Sequence, residues 1–367
     1  MTGLVFAKQG LTSAIAAIAA AGGSEPAEAQ LVAENLVTAN LTGHDSHGIG
    51  MMPRYVEALL EGGLHPNRRI EVKLDAGALL ALDGGAGYGQ SIGLQATRMV
   101  IERAKKHGVS ITALGNSHHL GRIGHWAEMA VAEGLVSMHF VNVQSFARVA
   151  PFAGADRRFG TNPVCIAIPL PGEPPFVLDM ATSAVAQGKL RVAHNKRVKI
   201  PHGWLIDDQG NPADDPRWGV IAPLGAMSCF GEHKGYGLAV ACELLGGALT
   251  GGGVTDYDNK TQRRVLNGMI SIVIDAARLG TEQAFKKDAK SFLAWLRASR
   301  PAPGHDRVRI AGEPERETRA KREREGIPVD DETWREIRAA SGKLGIASER
   351  IDLLARGTER PAPPTAR

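Results

Sequence analysis

The sequence predicts an α/β fold in which a helical module drawn from both chain ends flanks a central module built on a mixed sheet. Three observations carry that reading. Residues 1–75 run as alanine-rich helical stretches punctuated by glycine pairs. From residue 76 the texture changes to short β-rich runs separated by Gly, Pro and helical segments, the pattern of a mixed α/β region. After residue 312 the chain turns helical again. Four segments are therefore expected: a helical module over 1–75, an α/β module over 76–311, a helical segment over 312–358 packing on the first module, and a disordered tail over 359–367, "ERPAPPTAR" being rich in Pro and polar residues.

The elements follow in order. "LTSAIAAIAAAGG" (11–23) reads as an amphipathic helix closed by Gly22 and Gly23. Ser24, Glu25 and Pro26 start a second helix, with the Ser24 hydroxyl expected to cap free N–H groups, and this helix runs through Leu31, Val32 and Leu36 to Gly43. A third starts near Pro53, carries Tyr55, Val56, Leu59 and Leu60, and stops at Gly62-Gly63. Strands are expected at "ALLALDGG", "VSITALG", "LVSMHFVNV", "VCIAIPL", "PFVLDM" and "GMISIVIDAARL". "SIGLQATRMVIERAKKHG" and "GLAVACELLGGALTGGG" are expected helices, the second with small residues suited to close packing.

A chain of 367 residues suffices for one large or two ordinary domains. Lys+Arg 43 against Asp+Glu 39 leaves a net charge of +4, and much of the basic excess lies in "RVRIAGEPERETRAKREREG", where interleaved Glu and Arg form a solvated helix face. This gives no footprint for nucleic acid. No apolar stretch reaches the roughly 20 residues that span a bilayer, so no membrane partner is expected. Cys165, Cys229 and Cys242 lack CxxC spacing, which argues against a disulfide framework or a structural zinc and fits a reducing cytoplasm.

The glycines invite a search for phosphate-cradling loops. No GxxxxGK[ST] occurs, and "GGAGYGQSIG" (84–93) fails the GxGxxG spacing, so an ordinary Rossmann fingerprint is absent. No HExxH occurs, no carboxylate stands at ligand spacing beside the histidine pairs, and no metal is expected. The histidines themselves cluster: His44 and His47, then His118, His119 and His125, then His233, each group beside glycines at the end of an expected element. Bare backbone N–H groups and close ligand approach are available at such places. A histidine can exchange a proton near neutral pH, and positioned proton transfer is worth roughly 10²–10⁴-fold in rate. Alcohol oxidation needs such a base together with a hydride acceptor that no side chain supplies.

"NLTGHDSHGIGMMPRYVEAL", "NSHHLGRIGHWAEMA", "RRFGTNPVCIAIP", "LDMATSAVAQGKLRVA", "GWLIDDQGNPADDP" and "FGEHKGYGLAVACELLGGALTGG" resemble the successive signatures of the malate/L-lactate dehydrogenase-like oxidoreductases. That family also includes L-sulfolactate, ureidoglycolate and diketogulonate enzymes, and the likeness is strongest to its hydroxycarboxylate subgroup. The resemblance covers about residues 10–355. It implies NAD(P)-dependent interconversion of small 2-hydroxy and 2-oxo acids on a non-Rossmann fold, in a homodimer, with NAD favoured and NADP possible. Carried over position by position, it implies His47 as acid/base and as a cofactor neighbour, and His119 as the second catalytic histidine, the base in ureidoglycolate-type members. It implies cofactor contacts at Gly121, Arg122 and Ile123, at Val177, Leu178, Asp179, Met180 and Ala181, at His233 and Lys234, at Asn267, and at Gly312, Glu313, Pro314 and Glu315. Ser145 and Thr161 are implied near the nicotinamide and substrate, and Ser46 beside the substrate.

One position departs from the family pattern. Many relatives read SHGxxR, and here Met51 replaces that arginine, leaving Arg54 or Arg122 to take a substrate carboxylate through a bidentate pair. Met51 and Met52 are then expected to line an adaptable apolar pocket that favours a monocarboxylate with an apolar or hydroxylated tail. Two readings of other kinds stand beside this one: a metal-dependent hydrolase, motivated by the six clustered histidines, and a non-catalytic dinucleotide-binding protein.

Overall fold

The structure, a computed structural model, describes residues 3–255 and 264–358. In chain order it contains β1 (Leu4–Phe6), α1 (Lys8–Ala21), α2 (Pro26–Leu41), two 3₁₀ turns over Asp45–His47 and Ile49–Met51, and α3 (Met52–Leu60). The central part follows with β2 (Glu71–Ala76), β3 (Leu79–Asp83), α4 (Gly89–His107), β4 (Val109–His118), α5 (Gly124–Ala132), β5 (Val136–Gln144), β6 (Val164–Leu170), β7 (Glu173–Met180) and α6 (Gln187–Asn195). Three two-residue strands, β8 (Leu205–Ile206), β9 (Pro212–Ala213) and β10 (Ala226–Met227), precede α7 (His233–Cys242), which continues as a π-helical turn over Glu243–Ala248. The chain closes with β11 (Leu266–Ile274), α8 (Glu282–Arg297), α9 (Glu313–Glu325), β12 (Ile327–Val329), α10 (Asp331–Lys343) and α11 (Ser348–Ala355).

The main sheet has the order β2-β3-β4-β11-β5-β6-β7. Only β3 and β4 run parallel, with α4 as their crossover; every other pair is antiparallel. This is the expected mixed sheet, and it is not the doubly wound parallel array that a GxGxxG turn serves. On one face, Leu82, Leu114, Met269, Val141 and Ala167 pack with Ile92 and Ala96 of α4 and Trp126 of α5. On the other, the π-helical turn approaches β5 and β11 so closely that only Gly246, Gly247 and Gly268 fit.

A second core joins the two chain ends. Leu11, Ile15 and Ile18 of α1 and Val32 and Leu36 of α2 pack with Trp334, Ile337, Ile351 and Leu354 from the C-terminal helices. Gly10 lets α1 rest on the Ala355 backbone, and β1 pairs antiparallel with β12. A third, smaller core gathers Val149, Leu190, Leu205 and Met227 around α6, α7 and the short strands.

Three local expectations are corrected. The Ser24 hydroxyl does not cap α2: its oxygen lies 2.9 Å from Glu28 Oε2, and the helix has no side-chain cap. The first 75 residues are not wholly helical, because β1 and the start of β2 fall within them. β11 ends at Ile274, with Ala276–Leu279 forming a 3₁₀ turn instead of more strand.

Candidate active site

His47 sits at the end of the 3₁₀ turn that follows α2. Gly43, at φ +86°, breaks the helix, and Asp45 then fixes the turn by accepting from Asn40 Nδ2 at 2.7 Å and pairing with Arg322 of α9 at 2.6 and 3.0 Å. Ser46 packs against Gly188 at the start of α6. His119 reaches the same place from the other module, one residue beyond the end of β4. The two imidazoles stack with centroids 5.5 Å apart and planes 18° from parallel. Residues 72 apart in sequence thus form one pair at the seam between the helical core and the sheet.

Both rings are neutral over most of the physiological range. Burial pushes His47 down to about 4, with His44 and Arg122 adding to the shift and Asp179 opposing it. His119 is held well below its ordinary value by burial, then by His47, His118 and Arg54. His118 is pushed to about 3 by burial, with Arg54 and Arg264 contributing. A neutral imidazole can accept a proton, which the charged form cannot. His47 Nδ1 is buried and has no hydrogen-bond partner among the described residues, whereas buried polar atoms are ordinarily satisfied.

Three of the implied cofactor segments meet beside this pair. Gly124 N–H donates to Asp179 Oδ2 at 2.8 Å, joining the turn after His119 to the end of β7. Val177 N–H donates to the Ala311 carbonyl at 3.2 Å, joining β7 to the Gly312–Glu315 turn. Glu315 contacts His44 Nε2 at 3.2 Å, which brings that turn back to the His47 segment. Burial works against the Glu315 carboxylate, but the His44 contact helps to hold it below the usual range. Its second oxygen, Oε2, is buried without a partner. Gly121 at φ +73° and Gly312 at φ +93° leave backbone where a side chain would collide with Asn35 and Arg316. Bare turns beside unpaired buried acceptors fit a dinucleotide held by its sugars and amide.

Other candidates stand differently. Arg122 is 3% exposed and already committed, donating to both carboxylate oxygens of Glu128 and lying 3.6 Å from Asp179. Ile123, buried, belongs to the core under the sheet. Leu178, Met180 and Ala181 are half-buried around Asp179, and Thr161 uses its carbonyl to hold Thr182. Ser145 is buried at the end of β5. Asn267 spends its amide as a tie within the sheet, accepting from Leu120 N–H and donating to the Asn142 carbonyl, both at 2.8 Å. His233 and Lys234 are exposed at the start of α7; the His233 ring meets Phe152 edge-on at 5.9 Å. No hydrogen bond, ion pair or ring contact among the described residues ties either of them to the His47–His119 pair. The apolar pocket expected at Met51–Met52 is corrected, since Met52 is fully buried in the helical core and Met51 packs against that core.

The structure adds residues that the sequence reading passed over. Tyr55 lies 2.7 Å from His119 Nδ1, and Gln90 Nε2 lies 2.9 Å from the Tyr55 oxygen. Both look like core positions in the sequence, one on an apolar helix face and one in a glycine run. Arg148, in the loop after β5, carries no ion pair among the described residues. Burial, with Arg54 and Arg157 adding, pushes its guanidinium down to about 10.

Residues 6–338 match the family model described as malate/L-lactate dehydrogenase. The chain is 44% identical over 348 residues to hydroxycarboxylate dehydrogenase B of Escherichia coli strain K12, covering 94% of this chain and 96% of that one. It is 40% identical over 319 residues to L-lactate dehydrogenase of Cupriavidus necator, covering 86% and 91%. The solved sulfolactate dehydrogenase of Methanocaldococcus jannaschii superposes with a TM-score of 0.83 at 31% identity, covering 95% of this chain and 99% of that one. The matched span takes in the two histidines, the turns around them and the whole mixed sheet, and the chain belongs to the malate/L-lactate dehydrogenase family.

Proposed function

We propose that this NAD(P)-dependent oxidoreductase interconverts a small 2-hydroxy acid and its 2-oxo acid, with His47 as the acid/base and NAD as the preferred cofactor. The observation that carries the assignment is His47 Nδ1, buried, unpaired and stacked on a second neutral imidazole. A substrate hydroxyl placed there satisfies the orphaned nitrogen and gives up its proton to it. When bound, nicotinamide would supply the hydride acceptor, and Gly121, Asp179, Gly312 and Glu315 are the residues that would hold it. Asp179 favours the protonated form of His47, so it stabilises the imidazolium as it forms.

We assign the substrate carboxylate to Arg54 and Arg148, since Arg122 is spent on Glu128 and Asp179. Arg54 lies near enough to add to the lowering of the Arg148 guanidinium, so an anion at Arg148 is attracted by both charges. The monocarboxylate preference inferred from Met51 is narrowed accordingly: selectivity rests on these two arginines, not on a methionine pocket. A reducing cytoplasmic setting is supported by three buried, unpaired cysteines. No helix among the described residues is long and apolar enough to cross a membrane. A homodimer is supported by α8, whose Phe292 and Trp295 are 55% and 71% exposed while only Leu293 of that helix is buried. Sedimentation of a single-chain mass would overturn that assembly.

A panel of 2-oxo acids offered with NADH and with NADPH, followed by loss of nicotinamide absorbance, tests the activity. Turnover of at least one acid is expected, faster with NADH, and no turnover of any would leave a non-catalytic binding protein.

A further inference from the structure

The two ring nitrogens of His119 meet different surroundings. Nδ1 lies 2.7 Å from the Tyr55 hydroxyl, and the Tyr55 oxygen receives a hydrogen bond from Gln90 Nε2 at 2.9 Å. Tyr55 and Gln90 are fully buried and His119 is 7% exposed. The phenol cannot swing away, because its ring is wedged edge-on between Tyr88 at 5.9 Å and His118 at 5.3 Å. A phenol has one proton to give. With Gln90 donating to its oxygen, the Tyr55 O–H points to His119 Nδ1, which must then be the unprotonated nitrogen. A neutral imidazole carries its single proton on the other nitrogen.

We propose that Tyr55, held by Gln90, is a positioning residue that keeps neutral His119 in its Nε2–H form, so that His119 donates a hydrogen bond to the substrate oxygen while His47 takes the proton. The proposal rests on the dehydrogenase reading above and divides the labour between its two histidines. In the oxidation direction the substrate O–H bond breaks and its proton passes to His47. The C2 hydrogen would leave with its electron pair, the hydride that a bound nicotinamide would accept, as the carbon–oxygen double bond forms. The Nε2–H of His119 stays in place throughout and stabilises the negative charge that gathers on oxygen. In reduction the same N–H polarises the 2-oxo carbonyl. Burial raises the Tyr55 hydroxyl above its ordinary value, so it remains a phenol and keeps donating. Turning the Gln90 amide over would reverse every donor in the line, place the proton on Nδ1 and make His119 the base. The orientation of one buried amide therefore selects between the two mechanisms.

The test uses full-length protein labelled with ¹⁵N at histidine, with ring signals at neutral pH assigned by loss of the His119 set in His119→Gln. An unprotonated Nδ1 and a protonated Nε2 are expected; a proton on Nδ1 overturns the proposal. Tyr55→Phe removes only the hydroxyl. It should mix the two forms of His119 and lower kcat by roughly 10- to 100-fold, the scale of losing the partner that orients a functional imidazole, with KM and NADH binding unchanged. Unchanged kcat and unchanged His119 signals in that variant overturn the proposal as well. If Tyr55→Phe does not fold, the spectrum of the unaltered protein decides alone. The tautomer is readable without turnover, so absence of activity towards every 2-oxo acid defeats the dehydrogenase reading and leaves this result standing by itself.

Discussion

Replacing His47 by alanine removes the proton acceptor while leaving the turns that hold the cofactor intact. We expect turnover to fall by about two to four orders of magnitude with NADH binding retained; near-normal turnover would falsify the assignment. Arg148→Met keeps the length and apolar stem of the side chain but not the charge. The KM for the 2-oxo acid should rise about tenfold or more, the cost of losing a charge-assisted contact, and NADH binding should not change. An unaltered KM would return the carboxylate to Arg54 alone. His47 and His119 were legible as candidates because three histidine clusters share one glycine-rich setting at element ends and these two fall on motifs of the family. Tyr55 was not: on α3 it occupies an apolar position beside Val56 and Leu59, and its partner His119 lies 64 residues away. A hydrogen bond between distant elements leaves no periodic trace in either one.

At the scale of elements, the N-terminus of α4 presses on the residue that carries the chemistry. A Cβ added at Gly89 would run into the carbonyl groups of His118 and His119. Backbone cannot yield as a flexible side chain does, so Gly89→Ala must displace either the helix or the histidine segment. We expect a destabilisation of about 1–3 kcal/mol, the usual cost of overpacking, together with reduced kcat, read by chemical denaturation and by assay. Wild-type stability with wild-type rate would show that the close approach has no consequence. The same scale explains which elements the sequence announced. β4, β5 and β11 are flanked by other strands and read as near-continuous β-rich runs. β2 is exposed at every position, so it lacks the apolar alternation that marks a half-buried strand. β1 and β12 are three residues each and exist only through mutual pairing across the length of the chain.

Across the whole molecule, several buried histidines set the acid limit of stability. His118 and His139 titrate at about 3 and about 4 in the fold, both because burial disfavours the charge, and His119 is also strongly lowered. An unfolded imidazole titrates near 6.5. Between these values the unfolded chain binds protons that the native chain does not, so stability is fully present above about pH 6.5 and is lost as pH falls towards 4. Each such histidine contributes on the order of one kcal/mol per pH unit in that window. Denaturant midpoints should therefore fall steadily from pH 7 to 5, whereas a flat profile would mean that these rings are charged inside the fold. The general plan at this scale, helices from both ends around a mixed sheet, was visible as changes of texture along the sequence. The third core around α6 and α7 was not, because its strands are two residues long.

The pairing of β1 with β12, and the seat of α1 on the Ala355 backbone, have a bearing on how the protein is made. A ribosome delivers the His47 segment before the sheet, and the strand and helices that complete its core after it. Domains fold during synthesis as their parts emerge; the helical core cannot close until β12, α10 and α11 have left the exit tunnel. The sheet carrying His119, finished at β11, is ready first. Stalled or prematurely terminated chains accordingly hold half of the histidine pair on a formed sheet and the other half on unpacked helices, which leaves them without the stacked pair.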